Sequence, residues 1–231
     1  MFIRIAVAVL VVSLSACGAP RPRPYALQPP VEPAPALQSL PPPGAYQIDS
    51  NNSELRILVY RAGPLANLGH NHVIVSRAVT GSVQVGSSIS ASSFSIQVPL
   101  ESFVVDEPEA RRAAGSDFPG DIPEDAKSAT RRNMLSATML NAAEFPEITV
   151  KSVTLSGAFD TLSADLIISV AGREATISAP FTLQGDAHAL TAAGSMELRQ
   201  TALGLTPYSL LHGALQVQDA MQLKFSIVVP L

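Results

Sequence analysis

The chain has 231 residues, with 15 Lys and Arg against 19 Asp and Glu and a formal net charge of -4. That mild acidity argues against the clustered basic surface of a nucleic-acid-binding protein, so no nucleic acid is expected as a partner. Tryptophan is absent and aromatic residues make up only 5% of a chain long enough for one sizeable domain, while Val, Ile, Leu, Ser and Thr are plentiful, a mixture that suits β-strands.

Residues 1–16 read as a secretory signal peptide. Arg4 precedes an apolar run over residues 5–14, too short to span a bilayer as a mature helix, and small residues follow. Leu14-Ser15-Ala16-Cys17 resembles the bacterial lipobox, whose cysteine is acylated and becomes the first residue of the mature protein. Cys17 is the only cysteine, so no intramolecular disulfide can form, and acylation accounts for a lone exported thiol. Several acyl chains on one residue would anchor the protein stably to a membrane. Gly18 stands where an Asp retains enterobacterial lipoproteins at the inner membrane, so the expected location is the outer membrane, facing the periplasm. Residues 17–44 hold many of the 19 prolines and are expected to form an extended, mobile tether. The folded domain is then residues 45–231.

From Tyr46 onward the pattern has mostly period two. Strands are predicted over residues 55–60, 78–85, 94–98, 148–155, 163–170, 174–183, 188–198 and 222–229, with turns at Ala171-Gly172, Gly185-Asp186 and Gln218-Asp219. Many short strands without helices between most of them indicate a sandwich or an up-and-down antiparallel barrel. One region breaks the rhythm. Pro123 can open a helix, and Ile122, Ala126, Ala129, Met134 and Met139 recur at roughly helical spacing, which predicts a single helix over residues 123–140 inserted into the β fold. A loop holding Gly115, Pro119 and Gly120 precedes it. The acidic residues Asp106, Glu107, Glu109, Asp117, Asp121, Glu124 and Asp125 lack calcium-loop spacing and read as a solvated loop.

Tyr46-Gln47-Ile48-Asp49, the strand carrying residues 54–60, and Val79-Thr80-Gly81-Ser82-Val83 follow one another in the order of a known pattern. Arg131-Arg132-Asn133-Met134-Leu135 and Phe145-Pro146-Glu147-Ile148-Thr149-Val150 continue it, and residues 198–204 and 217–227 close it. In this succession the chain resembles the YceI-like family across nearly the whole domain. The resemblance implies an all-β, lipocalin-like up-and-down antiparallel barrel with an apolar interior that holds a polyisoprenoid, such as a quinone tail. It implies no established catalytic site. The chain departs from the family's Arg-Asp-x-His-Leu, which is Arg131-Arg132-Asn133-Met134-Leu135 here, and from its Asp-Phe-Gly, here Ala202-Leu203-Gly204.

Leu68-Gly69-His70-Asn71-His72-Val73 places two of the four histidines one residue apart. On a strand both rings would face one side and could share a metal with His188 or His212, although no Cys or Asp/Glu pair completes a recognisable set. The pair could instead meet a ligand's polar head at the barrel mouth, or form a turn whose rings are satisfied by the backbone. Catalysis has the least support, because no nucleophile motif accompanies them. Arg131 and Arg132 could pair with an anionic head group, for which guanidinium forks are suited, or form a solvated helix face.

The expected function is that of a lipid-anchored carrier or store, not an enzyme, binding a long isoprenoid-like molecule without metal or other cofactor, with a homodimer as one possible state. Expected cavity residues are Leu55, Ile57, Val59, Phe94, Ile96, Ile148, Val150, Leu166, Ile168, Ile177, Phe181 and Phe225, with His70, His72, Arg131 and Arg132 as head-group contacts. A metal-dependent enzyme built on the histidine pair, or a structural envelope protein with a solid barrel, are the rival readings.

Overall fold

Alternating apolar side chains carry directly into backbone pairing. The structure, a computed structural model, describes residue 37 and residues 39–231; the expected signal peptide, Cys17 and most of the tether lie outside the described residues. Twelve strands form one curled antiparallel sheet. They are β1 (Gly44–Gln47), β2 (Glu54–Ala62), β3 (His72–Ser76), β4 (Thr80–Val85), β5 (Ser93–Pro99) and β6 (Val104–Val105), then β7 (Glu147–Ala158), β8 (Thr161–Val170), β9 (Arg173–Gly185), β10 (Ala189–Arg199), β11 (Ser209–Leu210) and β12 (Leu215–Pro230). Their order is β1-β4-β5-β7-β8-β9-β10-β12-β2-β3-β6, with β11 on β12. Ile48 N–H donates to Gly81 O at 2.9 Å and Asp49 N–H to Val228 O at 2.8 Å, so the chain just after β1 bridges β4 and β12 and draws the sheet into a barrel. The all-β antiparallel barrel expected from the sequence is the observed architecture.

Side-chain parity decides what lies inside. On β8 the residues Leu162, Ala164, Leu166, Ile168 and Val170 are buried while those between them are more exposed, the signature of one face turned to an apolar core. Phe181, Leu190, Phe225, Ile227 and their inward neighbours on β9, β10 and β12 complete the interior. Gly194 on β10 has a specific task. A Cβ there would collide with the ring of Phe225, its cross-strand partner, and with the carbonyl of Pro180. Strand β2 is covered on both faces, because Leu58 belongs to a second apolar cluster with Val73, Val75, Ala110 and Phe118 on the outside of the barrel.

The single predicted helix is replaced by two. Helix α1 (Pro108–Ala114) has Pro at its first turn, where the missing N–H costs nothing, and seats Ala110 over β3. Helix α2 (Glu124–Leu135) starts where expected but stops five residues early. At Ser136 the backbone turns extended, and the hydroxyl donates to Asn133 O at 2.7 Å in competition with a further helical turn. Residues 136–145 then cross the end of the barrel as turns. The β8–β9 connection at Ala171-Gly172 puts both residues at positive φ (50° and 72°), as a two-residue hairpin demands, and a Cβ on Gly172 would strike the Phe145 ring.

Two further differences have local causes. Strand β12 begins at Leu215, seven residues before the predicted start. The expected turn at Gln218-Asp219 is a bulge, with the register shifting between Val217 and Met221. The Asp219 carboxylate accepts from Thr201 N–H at 2.9 Å and from the Thr201 hydroxyl at 2.7 Å, which holds the two extra residues without ending the strand. The ordered fold also reaches back before residue 45. Leu37 packs on the barrel core, Leu40 lines its interior and Pro41 is buried.

Candidate functional site

The barrel holds a cavity of about 170 Å³. One water needs about 10–15 Å³, so the space is roughly ten times larger than a single hydration site. Among the described residues Ser92 is the only polar one in the lining. Its hydroxyl is already engaged, accepting from Gly86 N–H at 3.0 Å and donating to Ser88 O at 2.8 Å. The interior therefore offers a guest apolar contact and no free hydrogen-bonding group. Water gains little in such a space, whereas a hydrocarbon gains the full benefit of leaving water.

Of the expected cavity residues, Leu55, Phe94, Ile96, Val150, Leu166, Ile168, Ile177, Phe181 and Phe225 line this space. Ile57, Val59 and Ile148 do not. They share the inward parity of their strands but lie nearer the end crossed by α2, in the cluster that includes Met134, Leu135 and Leu140. That end is filled by side chains and bolted by Arg131, whose Nε and Nη2 donate to Phe103 O (3.2 Å) and Glu101 O (2.7 Å). Arg131 is thus committed to the barrel's own backbone, and Arg132 beside it is exposed.

The histidine pair lies at the same closed end. His72 opens β3 opposite Val59, which in turn faces Met221. From Met221 to Val229, at the far end of the cavity, β12 runs on the order of 25 Å. None of His70, His72, Arg131 and Arg132 lines the cavity.

What His72 does meet is a buried carboxylate. Its Nδ1 lies 2.7 Å from Asp106 Oδ2, while Asp106 Oδ1 accepts from Val73 N–H at 2.9 Å and from Arg111 Nη1 at 2.7 Å. The Asp106 side chain is fully buried and that of Arg111 is 3% exposed. Arg111 also donates to Asn71 O, Pro119 O and Gly120 O. Asn71 adds Oδ1 to Arg61 N–H at 3.0 Å and Nδ2 to Asp117 O at 2.8 Å. Burial by itself would raise the pKa of Asp106. The hydrogen bonds from His72 and Val73, the charge of His72 and the bond from Arg111 outweigh it and hold the carboxyl below the ordinary aspartate value.

Reading the acidic stretch as a solvated loop is therefore corrected at Asp106, which is the centre of a hydrogen-bonded hub tying the 69–73 turn to α1 and the 117–120 loop. Asp106 itself sits at φ 57°, in the left-handed region that Asp tolerates better than most residues. Neither Asp106 nor Arg111 was legible as a partner of His72, since 34 and 39 positions separate them in sequence from it. His70 is exposed, with its ring centroid 6.4 Å from that of His72. His188, at the β9–β10 turn, and His212 are exposed on other parts of the barrel. Among the described residues no group of three or more His, Cys, Asp or Glu side chains comes together as metal ligands, and no hydrogen bond joins a hydroxyl nucleophile to the other nitrogen of His72.

An antiparallel barrel with a hydrocarbon-lined interior is a lipocalin-like binding architecture. Residues 46–229 match the family model of the YceI-like domain, and the chain belongs to the YceI-like family. Among solved structures it is similar to Burkholderia cenocepacia BcnA, at 14% identity and a TM-score of 0.59 over 78% of this chain and 98% of that one. It also matches a Campylobacter jejuni YceI protein that crystallises with large solvent channels, at 8% identity and a TM-score of 0.48 over 66% of this chain and 81% of that one. No curated protein matches the sequence.

Proposed function

We propose that this chain is an exported, lipid-anchored carrier whose barrel holds a long isoprenoid-like hydrocarbon and leaves the polar head outside the cavity. The observation that carries this reading is the lining, in which a single hydroxyl, already bonded to the backbone, is the only polar side-chain group among the described residues. Membership of the YceI-like family points the same way. Binding is favoured over catalysis because the described residues of the lining include no titratable side chain and the oriented imidazole of His72 is engaged outside it.

Affinity should reside in the tail. Burial contributes about 0.8 kcal/mol per CH₂, so one isoprene unit of about five carbons contributes about 4 kcal/mol before ordering costs are subtracted. Titrating the soluble protein with isoprenoids of increasing length should give a dissociation constant that falls at least about tenfold per added unit until the cavity is full. Exchanging the head group should matter less. Affinity that follows the head group and ignores chain length would sink the carrier reading.

Anchoring is proposed from Leu14-Ser15-Ala16-Cys17 alone. Cys17→Ser should move the protein from the membrane fraction to the soluble periplasm, because it removes the acylation site. A variant that stays with membranes after a high-salt wash refutes the anchor. The outer membrane is the proposed destination.

A further inference from the structure

Leu40 lines two spaces at once. One is the apolar interior, and the other is an open groove of about 620 Å³ on the outer side, shaped by Leu37, Pro41, Tyr46, Gly185, Asp186 and Leu231. Among the described residues no other lines both. We propose that Leu40 is the gate of the cavity: the segment around it is a detachable strap, and an apolar chain passes between groove and interior when Leu40 swings out. This inference rests on the carrier reading and adds the route of passage and the residue that limits ligand length.

The way the strap is held supports a separable closure. Pro41-Pro42-Pro43 carries no backbone N–H, so this stretch cannot join the sheet as a strand by donating to a neighbour. Among the described residues no backbone-to-backbone hydrogen bond ties residues 39–43 to the barrel. The polar fastening is Tyr46 Oη–H to Pro42 O at 2.8 Å, made by the chain's own next strand. What remains is apolar contact from Leu37, Leu40 and Pro41, which is non-directional and can be broken and remade without dismantling a ladder. The other end of the barrel contrasts with this. There α2 is fixed by the two Arg131 bonds to backbone carbonyls, and Phe145 packs against Gly172. One end is bolted, and the other is closed by a leucine on a proline run.

The test reads access to the cavity without needing a ligand. In the full chain carrying Cys17→Ser, a single thiol is introduced inside the cavity as Ala192→Cys, with Ala179→Cys as the substitute should the first not fold. Labelling by an apolar maleimide is then timed with and without Leu40→Ala. Losing most of one leucine's burial should raise the open population, and hence the labelling rate, about tenfold. A thiol at Val73→Cys, buried outside the barrel under α1, should label at an unchanged rate. Equal rates at position 192 with and without Leu40→Ala overturn the gate. So does equal acceleration at position 73, which would mean general loosening. A parallel titration with isoprenoids separates the two claims. Leu40→Ala should accept chains longer than the native limit and release them about tenfold faster. Absence of any uptake by the unaltered chain refutes the carrier reading, whatever the labelling shows.

Discussion

Placing a carboxylate at position 168 is expected to empty the barrel. Ile168 is 7% exposed, lies on the inward face of β8 between Val150 and Ala175, and lines the cavity. No donor nearby could pair with an Asp there, since the only lining hydroxyl is committed elsewhere. Burying an ionised carboxylate in such surroundings is far costlier than the 5–15 kcal/mol that holds a typical domain together, so the group must take up a proton, draw in water or unfold its surroundings. Ile168→Asp should therefore abolish isoprenoid uptake at neutral pH, with or without loss of the fold. The companion change Phe181→Leu keeps the interior apolar and should cost roughly 1–2 kcal/mol of stability while shifting preference to longer chains. Circular dichroism separates lost fold from lost binding. A folded Ile168→Asp protein that takes up long chains with native affinity would show that the ligand sits elsewhere.

Asp106 should be the most costly polar residue to remove. It accepts from His72, Val73 and Arg111 with its side chain fully buried, so truncation leaves the Arg111 guanidinium charged and short of its carboxylate. Breaking a buried pair in this way costs roughly 3–5 kcal/mol. For a domain of this size that lowers Tm by roughly 10 °C. Asp106→Ala should show this loss in thermal unfolding at pH 7. Glu107→Gln, next to it in sequence, should change stability by less than about 1 kcal/mol, because the Arg77 that Glu107 pairs with is 47% exposed. Similar losses in the two variants would mean that the hub does not carry the closed end.

The same hub sets a pH dependence. Because the folded-state pKa of Asp106 is depressed, its contribution is fully present above the unfolded carboxylate value of about 3.9 and is lost as pH falls through the lower folded value. The stability gap between the native chain and Asp106→Asn should therefore be wide at neutral pH and close in strong acid. Urea unfolding at several pH values below neutrality measures it. A gap that does not change with pH would remove the charge from the explanation.

Fold class was legible because β8, β9 and β12 announce themselves by strict period two, and a strand with one apolar face has few places to put it. The same periodicity puts nine of the twelve expected cavity residues on the lining, since parity fixes which side chains share a face. Parity says nothing about depth along a strand. Ile57, Val59 and Ile148 have the inward parity but lie outside the cavity lining, a difference in depth along the strand that only the closed barrel sets. Helix ends were similarly local contests, as at Ser136, where one hydroxyl bond ended α2 before the apolar spacing did.

Charged and histidine residues were legible least, because their roles are set by partners distant in sequence. Asp106 and Glu107 look alike in the chain, yet pairing of β6 with β3 carries one into a buried hub and leaves the other at the surface. His72 could be read as a ligand, a base or a turn residue until that pairing brought Asp106 to its ring. The proline run reads from the sequence as an extended tether outside any core, since missing donors are a property of the residues themselves, yet Pro41 is buried against the barrel. That its Leu40 reaches into the barrel is a tertiary fact. Periodicity and donor count are carried by the chain alone and settle which residues can pair and which face is apolar; which end of the barrel is bolted, and what the buried charges meet, depends on contacts that exist only once the sheet has closed.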